Sequence, residues 1–263
     1  MVHAVSSKGI IGLGALGQAI DRFVPACENP AAVLFTVKAF DLEKALTEQS
    51  NHWPESTPFV TLCNGYIWPV IEKIRPQLGK RTIRFGMTTI GSTLKADGSL
   101  EVFSNNTVTA WGHWPDPASQ STPAKPQELE LLKVFPGGMW LDDVRPIIRK
   151  KWILNVVINS VAAAYKLERN ELLSSQKSRV EEALQEAIEL AKKLWPDLSR
   201  DASEETTMAA QLWQVVAATG GNQNSMVRDV SLGRKTESDY LAGMALHYDG
   251  FRLLKSLHKA IVG

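Results

Sequence analysis

Over the first 143 residues, short β-branched and apolar runs alternate with helically patterned stretches, and from about residue 145 onward only helical patterning remains. That switch constrains the fold more than any single motif. Strands alternating with helices build a parallel α/β sheet, whereas a helix-only remainder buries its apolar faces in a layer of its own. "KGIIG", "AAVLFTV" and "PFVTLCNG" read as strands, with "ALGQAIDRF", "DLEKALTEQS" and "YIWPVIEKIRPQL" as the helices between and after them. "TIRFGMTTIGSTL", "LEVFS" and "TVTAWGHW" look like hairpin-type strands that give the sheet an antiparallel edge. The Pro/Ser-rich "PDPASQSTPAKP" (115–126) is an expected exposed loop, after which "QELELLKVF" and "GGMWLDDV" supply one more helix and strand. Two domains follow, α/β over 1–143 and all-α over 144–263.

Within the first domain, "GLGALG" (12–17) has the spacing G-x-G-x-x-G between a strand and a helix. Gly12, Gly14 and Gly17 then allow a tight turn and close approach of a pyrophosphate to a helix N-terminus. A plain glycine-rich turn is the competing reading. The residue that reads the ribose is expected roughly 20 positions further on, after a second strand. Here that stretch has already reached Pro30, and the next strand is "AAVLFTV".

In the second domain, "RVEEALQEAIELAKKLW" is an amphipathic helix that stops at Pro196, and "SEETTMAAQLWQVVAAT" starts at Ser203 and ends at Gly220–Gly221. "RKKWILNVVINSV" (149–161) is less ordinary. Steps of four turn each side chain by only about 40° around a helix, so Lys151, Asn155 and Asn159 form one stripe between apolar flanks. Burying an ammonium and two amides there is costly unless protein groups or a polar ligand pair with them. In "GNQNSMVRDVSLGRKTESDY" (221–240), Asn222, Ser225 and Asp229 would share a helical face. Glu237 follows Thr236, a candidate N-cap. A solvated charged helix with an Arg234–Asp239 pair is the bland alternative.

The bulk properties exclude several classes. A net charge of +1 offers no electrostatic footprint for nucleic acid or an anionic membrane. The apolar runs are too short to span a bilayer, and "MVHAVSSKGI" has no apolar core of a secretory signal. Cys27 and Cys63 lack metal-ligand spacing and suggest no disulfide framework, so no metal and a reducing, cytoplasmic compartment are expected.

Taken together, the motifs resemble the ketopantoate reductase (2-dehydropantoate 2-reductase) family. "KWILNVVINSVAAAYKLERNELL" is similar to its helix of Lys, three residues, Asn, three residues, Asn. "NSMVRDVSLGRKTESDYLAG" is similar to its Ser-Met and Gly-Arg-x-Thr-Glu-x-Asp-Tyr pattern. "FTVKAFDLEKAL", "VTLCNGY" and "FGMTTIGSTL" resemble its sheet segments in order, and "IIGLGALGQ" resembles its dinucleotide turn. The resemblance covers nearly the whole chain, and the two C-terminal motifs are its specific part. It implies a truncated Rossmann-like N-terminal domain that binds NADP, followed by a helical domain for substrate and catalysis. It further implies NADPH-dependent reduction of 2-dehydropantoate, a 2-keto acid, in the route to pantothenate and coenzyme A. By the same resemblance Lys151 and Glu237 are catalytic, and Asn155, Asn159, Asn222 and Ser225 bind substrate in a cleft between the domains. Gly12, Gly14, Gly17, Lys38 and Asn64 then hold the cofactor. A homodimer is compatible with it. Another 2-keto acid as substrate, or a shortened member that binds weakly and turns nothing over, are the alternatives.

Family members carry a strand, a helix and a further strand between the glycine turn and the "VKAFD" strand. Here roughly thirty to forty residues of a doubly wound half are missing. Either the edge strands are lost and "GLGALGQ" is the true turn, or the true N-terminus is lost and the motif is a chance imitation. The helix-compatible residues after "GALGQ" favour the first. Ser160 and Ala162 replace the family's Pro and Thr, and Asn170 stands where a Gly is usual.

Overall fold

The computed structural model describes residues 6–95, 97–103, 107–114, 122–198 and 204–263. The chain separates into two compact units, Met1–Val144 and Arg145–Gly263. Ser203 and residues 115–121 of the Pro/Ser-rich loop lie outside the described residues.

The first unit is built on a sheet of β1 (Ile10–Ile11), β2 (Val33–Phe35), β3 (Phe59–Thr61), β4 (Ile83–Thr88), β7 (Thr109–Gly112) and β8 (Gly138–Leu141), in that spatial order. The first four run parallel; β7 is antiparallel to β4, and β8 lies parallel to β7. The antiparallel end of the sheet is therefore two strands wide. β5 (Gly91–Leu94) and β6 (Leu100–Phe103) form a separate hairpin. The helices are α1 (Ala15–Asp21), α2 (Leu42–Ser50), α3 (Trp68–Leu78) and α4 (Pro126–Lys133).

Register decides what each face buries. Ile10, Leu34, Val60 and Arg84 lie side by side across β1–β4. Ile10, Leu34 and Val60 are fully buried in a cluster with Ile20 and Val24 around α1 and with Leu132 and Phe135 around α4. Arg84 continues this apolar row as a charge, only 1% exposed. Glu128 of α4 answers it, with oxygens 3.0 Å from Nε and Nη2. Arg84 also donates to the carbonyls of Thr122 (2.7 Å) and Pro123 (3.0 Å), which fastens the segment entering α4. The same Glu128 carboxylate accepts from the Lys125 backbone N–H at 3.0 Å, which satisfies one free donor at the start of α4.

The described residues of the second unit hold helices α5 (Arg145–Ala164), α6 (Lys177–Leu194), α7 (Glu204–Ala218), α8 (Ser225–Ser231) and α9 (Arg252–Val262), 3₁₀ turns at Asn170–Gln176, Ser238–Tyr240 and Ala242–His247, and an isolated bridge between Arg169 and Gln223. α5 is the central helix, packed by α6, α8 and α9. Pro146 sits in its first turn, where a missing N–H costs nothing. It ends in a Schellman motif: Leu167 N–H reaches Ala162 O at 2.8 Å, Lys166 N–H reaches Ala163 O at 3.2 Å, and Lys166 takes the left-handed conformation. Among the described residues no helix is long and apolar enough to cross a membrane.

Candidate active site

In the first unit, the three glycines of the turn have three different environments. Gly12 has φ +94°, and a Cβ there would stand 2.6 Å from Val37 Cγ1 and 2.9 Å from Val37 N. A Cβ on Gly17 would stand 2.0 Å from Gly12 O, so α1 lies against the turn with no room for a side chain. Gly14 takes φ −70° and faces open space, with nothing within 4 Å of a Cβ. One residue for the tight turn, one left open and one for close packing is the division of labour of a dinucleotide loop. Thr36 completes the turn through Oγ1, which donates to Gly12 O at 2.6 Å. Sequence spacing gave no hint of Thr36.

Lys38 and Asn64 belong to the same end of the sheet. Lys38 follows β2 and precedes the 3₁₀ turn Ala39–Asp41; Asn64 follows β3, just before Gly65 at φ +96°. Because β1, β2 and β3 are parallel, the glycine turn, Lys38 and Asn64 all lie beyond the carboxyl ends of adjacent strands. That edge is where open α/β sheets bind ligands.

In the second unit, α5 presents the stripe. Trp152, Ile153, Val156, Val157 and Ile158 are buried, while Lys151, Asn155 and Asn159 are half-buried, as is Leu154. The polar groups therefore occupy a partly open line beside the buried face of the helix. Asn222 is not on a helix with Ser225. It sits in the turn after α7, and α8 begins only at Ser225. A helix of seven residues has too little apolar periodicity to mark its own start. Ser225 is exposed, and Glu237 is 6% exposed. Thr236 Oγ1 accepts the Ser238 N–H at 3.3 Å, a local turn that positions the backbone next to Glu237.

Two residues that the sequence did not single out tie this half together. Trp152, next to Lys151, donates its indole N–H to Tyr240 O at 3.0 Å and so anchors the Glu237 turn to α5. Asn224 caps α8: its Oδ1 accepts from the backbone N–H groups of Met226 (3.0 Å) and Val227 (3.3 Å). Its amide nitrogen donates to Asn159 Oδ1 at 2.9 Å. An Asn just before a Ser-led helix is a recognisable cap signal. Asp239 faces His258 at 3.7 Å rather than Arg234, and Ser238 Oγ pairs with His258 Nδ1 at 2.8 Å.

Two family models match the chain: ketopantoate reductase PanE/ApbA over residues 18–116, and the ketopantoate reductase PanE/ApbA C-terminal model over residues 143–248. The chain belongs to the ketopantoate reductase family. Among its curated relatives, the 2-dehydropantoate 2-reductase of Shigella flexneri is 26% identical over 215 residues, 81% of this chain. The match spans 66% of that relative's length. The 2-dehydropantoate 2-reductase of Pyrococcus horikoshii is 24% identical over 94% of this chain and 79% of its own. In three dimensions the chain is similar to a probable 2-dehydropantoate 2-reductase from Bacillus subtilis, with TM-score 0.64, 22% identity, and 90% and 80% of the two chains covered. It is also similar to a D-mandelate dehydrogenase solved with NADH and anilino(oxo)acetate, with TM-score 0.71, 18% identity, and 90% and 76% covered. The match to the first ketopantoate reductase model begins one residue past Gly17, so the assignment of the glycine turn rests on its own geometry.

Proposed function

We propose that this chain is an NADPH-dependent 2-keto acid reductase whose substrate is 2-dehydropantoate, reduced to pantoate on the route to pantothenate and coenzyme A. The observation that carries the reading is the Lys151–Asn155–Asn159 line, half-buried beside the buried face of α5 in a member of this family. The glycine turn fits a dinucleotide pyrophosphate, because Gly14 leaves the loop backbone uncovered while Gly12 and Gly17 hold its shape. A nicotinamide bound at the carboxyl ends of the strands would supply the hydride.

The remaining steps belong to side chains. As the keto carbon is reduced, negative charge grows on its oxygen. Lys151 stabilises that charge as an ammonium and then delivers the proton, a role that typically contributes about 10²–10⁴-fold. Asn155, Asn159, Asn222 and Ser225 offer amides and a hydroxyl to the substrate's carboxylate and hydroxyl oxygens, binding them without taking part in proton transfer. Glu237 keeps the lysine charged and accepts from a substrate hydroxyl. Lys38 and Asn64 lie at the cofactor end. A site of this kind rejects analogues that lack the matching polar group, whose absence leaves its own groups unpaired.

The test is a fluorescence titration of the purified protein with NADPH and NADH, followed by 2-dehydropantoate. Binding and then oxidation of NADPH on adding the keto acid is the expected result. Binding of neither nucleotide at millimolar concentration would leave a weak binding protein in place of an enzyme. In Lys151→Ala, turnover should fall by about 10²–10⁴-fold with the melting temperature unchanged. Undiminished turnover would remove Lys151 from the chemistry.

A further inference from the structure

We infer that Asn224 is a positioning residue that fixes Asn159 as a hydrogen-bond donor toward the substrate. The inference rests on the reading of the α5 stripe as the 2-keto acid site. Its starting point is the polarity of two backbone groups. Met226 N–H and Val227 N–H can only donate, and both point at one atom of the Asn224 side chain, at 3.0 and 3.3 Å. That atom is therefore the amide oxygen. The opposite end of the same amide is then NH₂, and it faces Asn159 at 2.9 Å and Asn170 at 3.4 Å. Both neighbours must show it their oxygens.

The polarity propagates. Asn170, with its oxygen turned to Asn224, directs its nitrogen to Thr219 Oγ1 at 3.0 Å. Thr219 in turn uses its hydroxyl proton on Val215 O at 2.7 Å, leaving its lone pairs for Asn170. Every member of the chain agrees on direction, from the N-terminus of α8 back into α7. The consequence at the site is that the Asn159 NH₂ group is directed away from Asn224. Asn224 is itself 4% exposed, whereas Asn159 is half-buried on the open stripe. Asn159 thus keeps its NH₂ for a partner other than Asn224, which suits a carboxylate oxygen of the substrate and disfavours a donor placed there. Asn170, whose φ is not positive, has no need to be glycine; its side chain holds the far side of this network.

Asn224→Asp tests the idea without removing the cap. Aspartate caps a helix as well as asparagine does, and its charge suits the helix N-terminus. It would, however, turn an oxygen instead of NH₂ toward Asn159, which must then flip and show its own oxygen to the substrate. Affinity for 2-dehydropantoate, measured by calorimetry, and KM are expected to worsen by about ten- to hundredfold. kcat should stay within about threefold, since Lys151 lies two helical turns away. Asn224→Ser keeps a capping oxygen but no NH₂, and is expected to raise KM by less, so a poorly folding Asp variant leaves the idea testable. In an Asn159→Ala background, Asn224→Asp should add nothing further. Unchanged affinity in folded Asn224→Asp, or an effect that persists in the Asn159→Ala background, would overturn the inference while leaving the reductase reading in place. A parent protein that binds no 2-keto acid would overturn both.

Discussion

Gly14 and Gly17 sit three residues apart in one turn and answer to different constraints. Gly14 has ordinary backbone angles and open space where a Cβ would go, so Gly14→Ala should melt with the parent protein. Its methyl group would stand where a pyrophosphate has to approach, and nucleotide affinity should fall by at least about tenfold. Gly17→Ala drives a Cβ to 2.0 Å from Gly12 O, a backbone atom that cannot swing aside. That overpacking should cost about 1–3 kcal/mol or more, visible in a denaturant melt even without nucleotide. If the two variants behave alike in both measurements, the division of roles within the turn is wrong. At this scale the sequence was informative wherever residue type and spacing state a need, as with three glycines or three polar groups four apart. It was silent on Thr36 and Trp152, whose importance lies in partners 24 and 88 positions away, and for Asn224 it signalled the cap but not the contact 65 positions back.

Among the elements, β4 and α4 depend on one buried ion pair. Arg84 is 1% exposed and Glu128 0%. Truncating Glu128 to Ala leaves a buried guanidinium without its carboxylate, held by His113 and the carbonyls of Thr122 and Pro123, and should destabilise the protein by about 3–5 kcal/mol. A urea melt that shifts by less than about 1 kcal/mol would show that water reaches Arg84. The same arginine determines the state of His113. Its Nη1 lies 3.2 Å from His113 Nδ1, and since a guanidinium only donates, the imidazole must accept there and be neutral. Burial, then the Arg84 charge, hold this histidine below its ordinary range, although Asp142 and Glu128 pull the other way. The unfolded chain therefore takes up the proton first as pH falls below about 6.5, and stability drops with it. His113→Asn, which can still accept from Arg84, should flatten that acid-side slope in melts between pH 7 and pH 5. An unaltered slope would place the titration elsewhere. Strand β4 was readable from "TIRFGMTT", but an arginine in a central strand announces a partner without naming it. The start of α8 carries a cap signal in Asn224, but seven residues hold too little apolar periodicity to mark a helix.

For the whole molecule, the order of the sheet matters more than its content. In a doubly wound dinucleotide domain the first strand lies inside the sheet, in the order 3-2-1-4-5-6. Among the described residues β1 forms one edge and pairs with β2, the strand that carries Lys38 at its end. The alternation of patterns made the parallel sheet and the helical second unit legible, and the short spacing from Gly17 to Lys38 accords with the direct pairing of β1 with β2. No local pattern could name the contacts that hold the segment leading into β1. There Ser6 N–H bonds to Ile10 O at 2.9 Å and Lys8 Nζ reaches Asp21 O at 2.6 Å. The hollow beside the glycine turn is lined by Ser6, Leu13, Gln18, Asp21 and Arg22, among others. A 2′-phosphate placed there meets one arginine, exposed and next to an acid, while Lys8 is already paired with Asp21 at 3.3 Å. An exposed charge pair is worth about 1 kcal/mol or less, so NADPH should bind no more than about tenfold tighter than NADH. Arg22→Ala should bring the two affinities together at low salt, and raised salt should do the same in the parent, since screening weakens an exposed contact. A hundredfold preference for NADPH that survives Arg22→Ala would mean that a different part of the chain reads the phosphate.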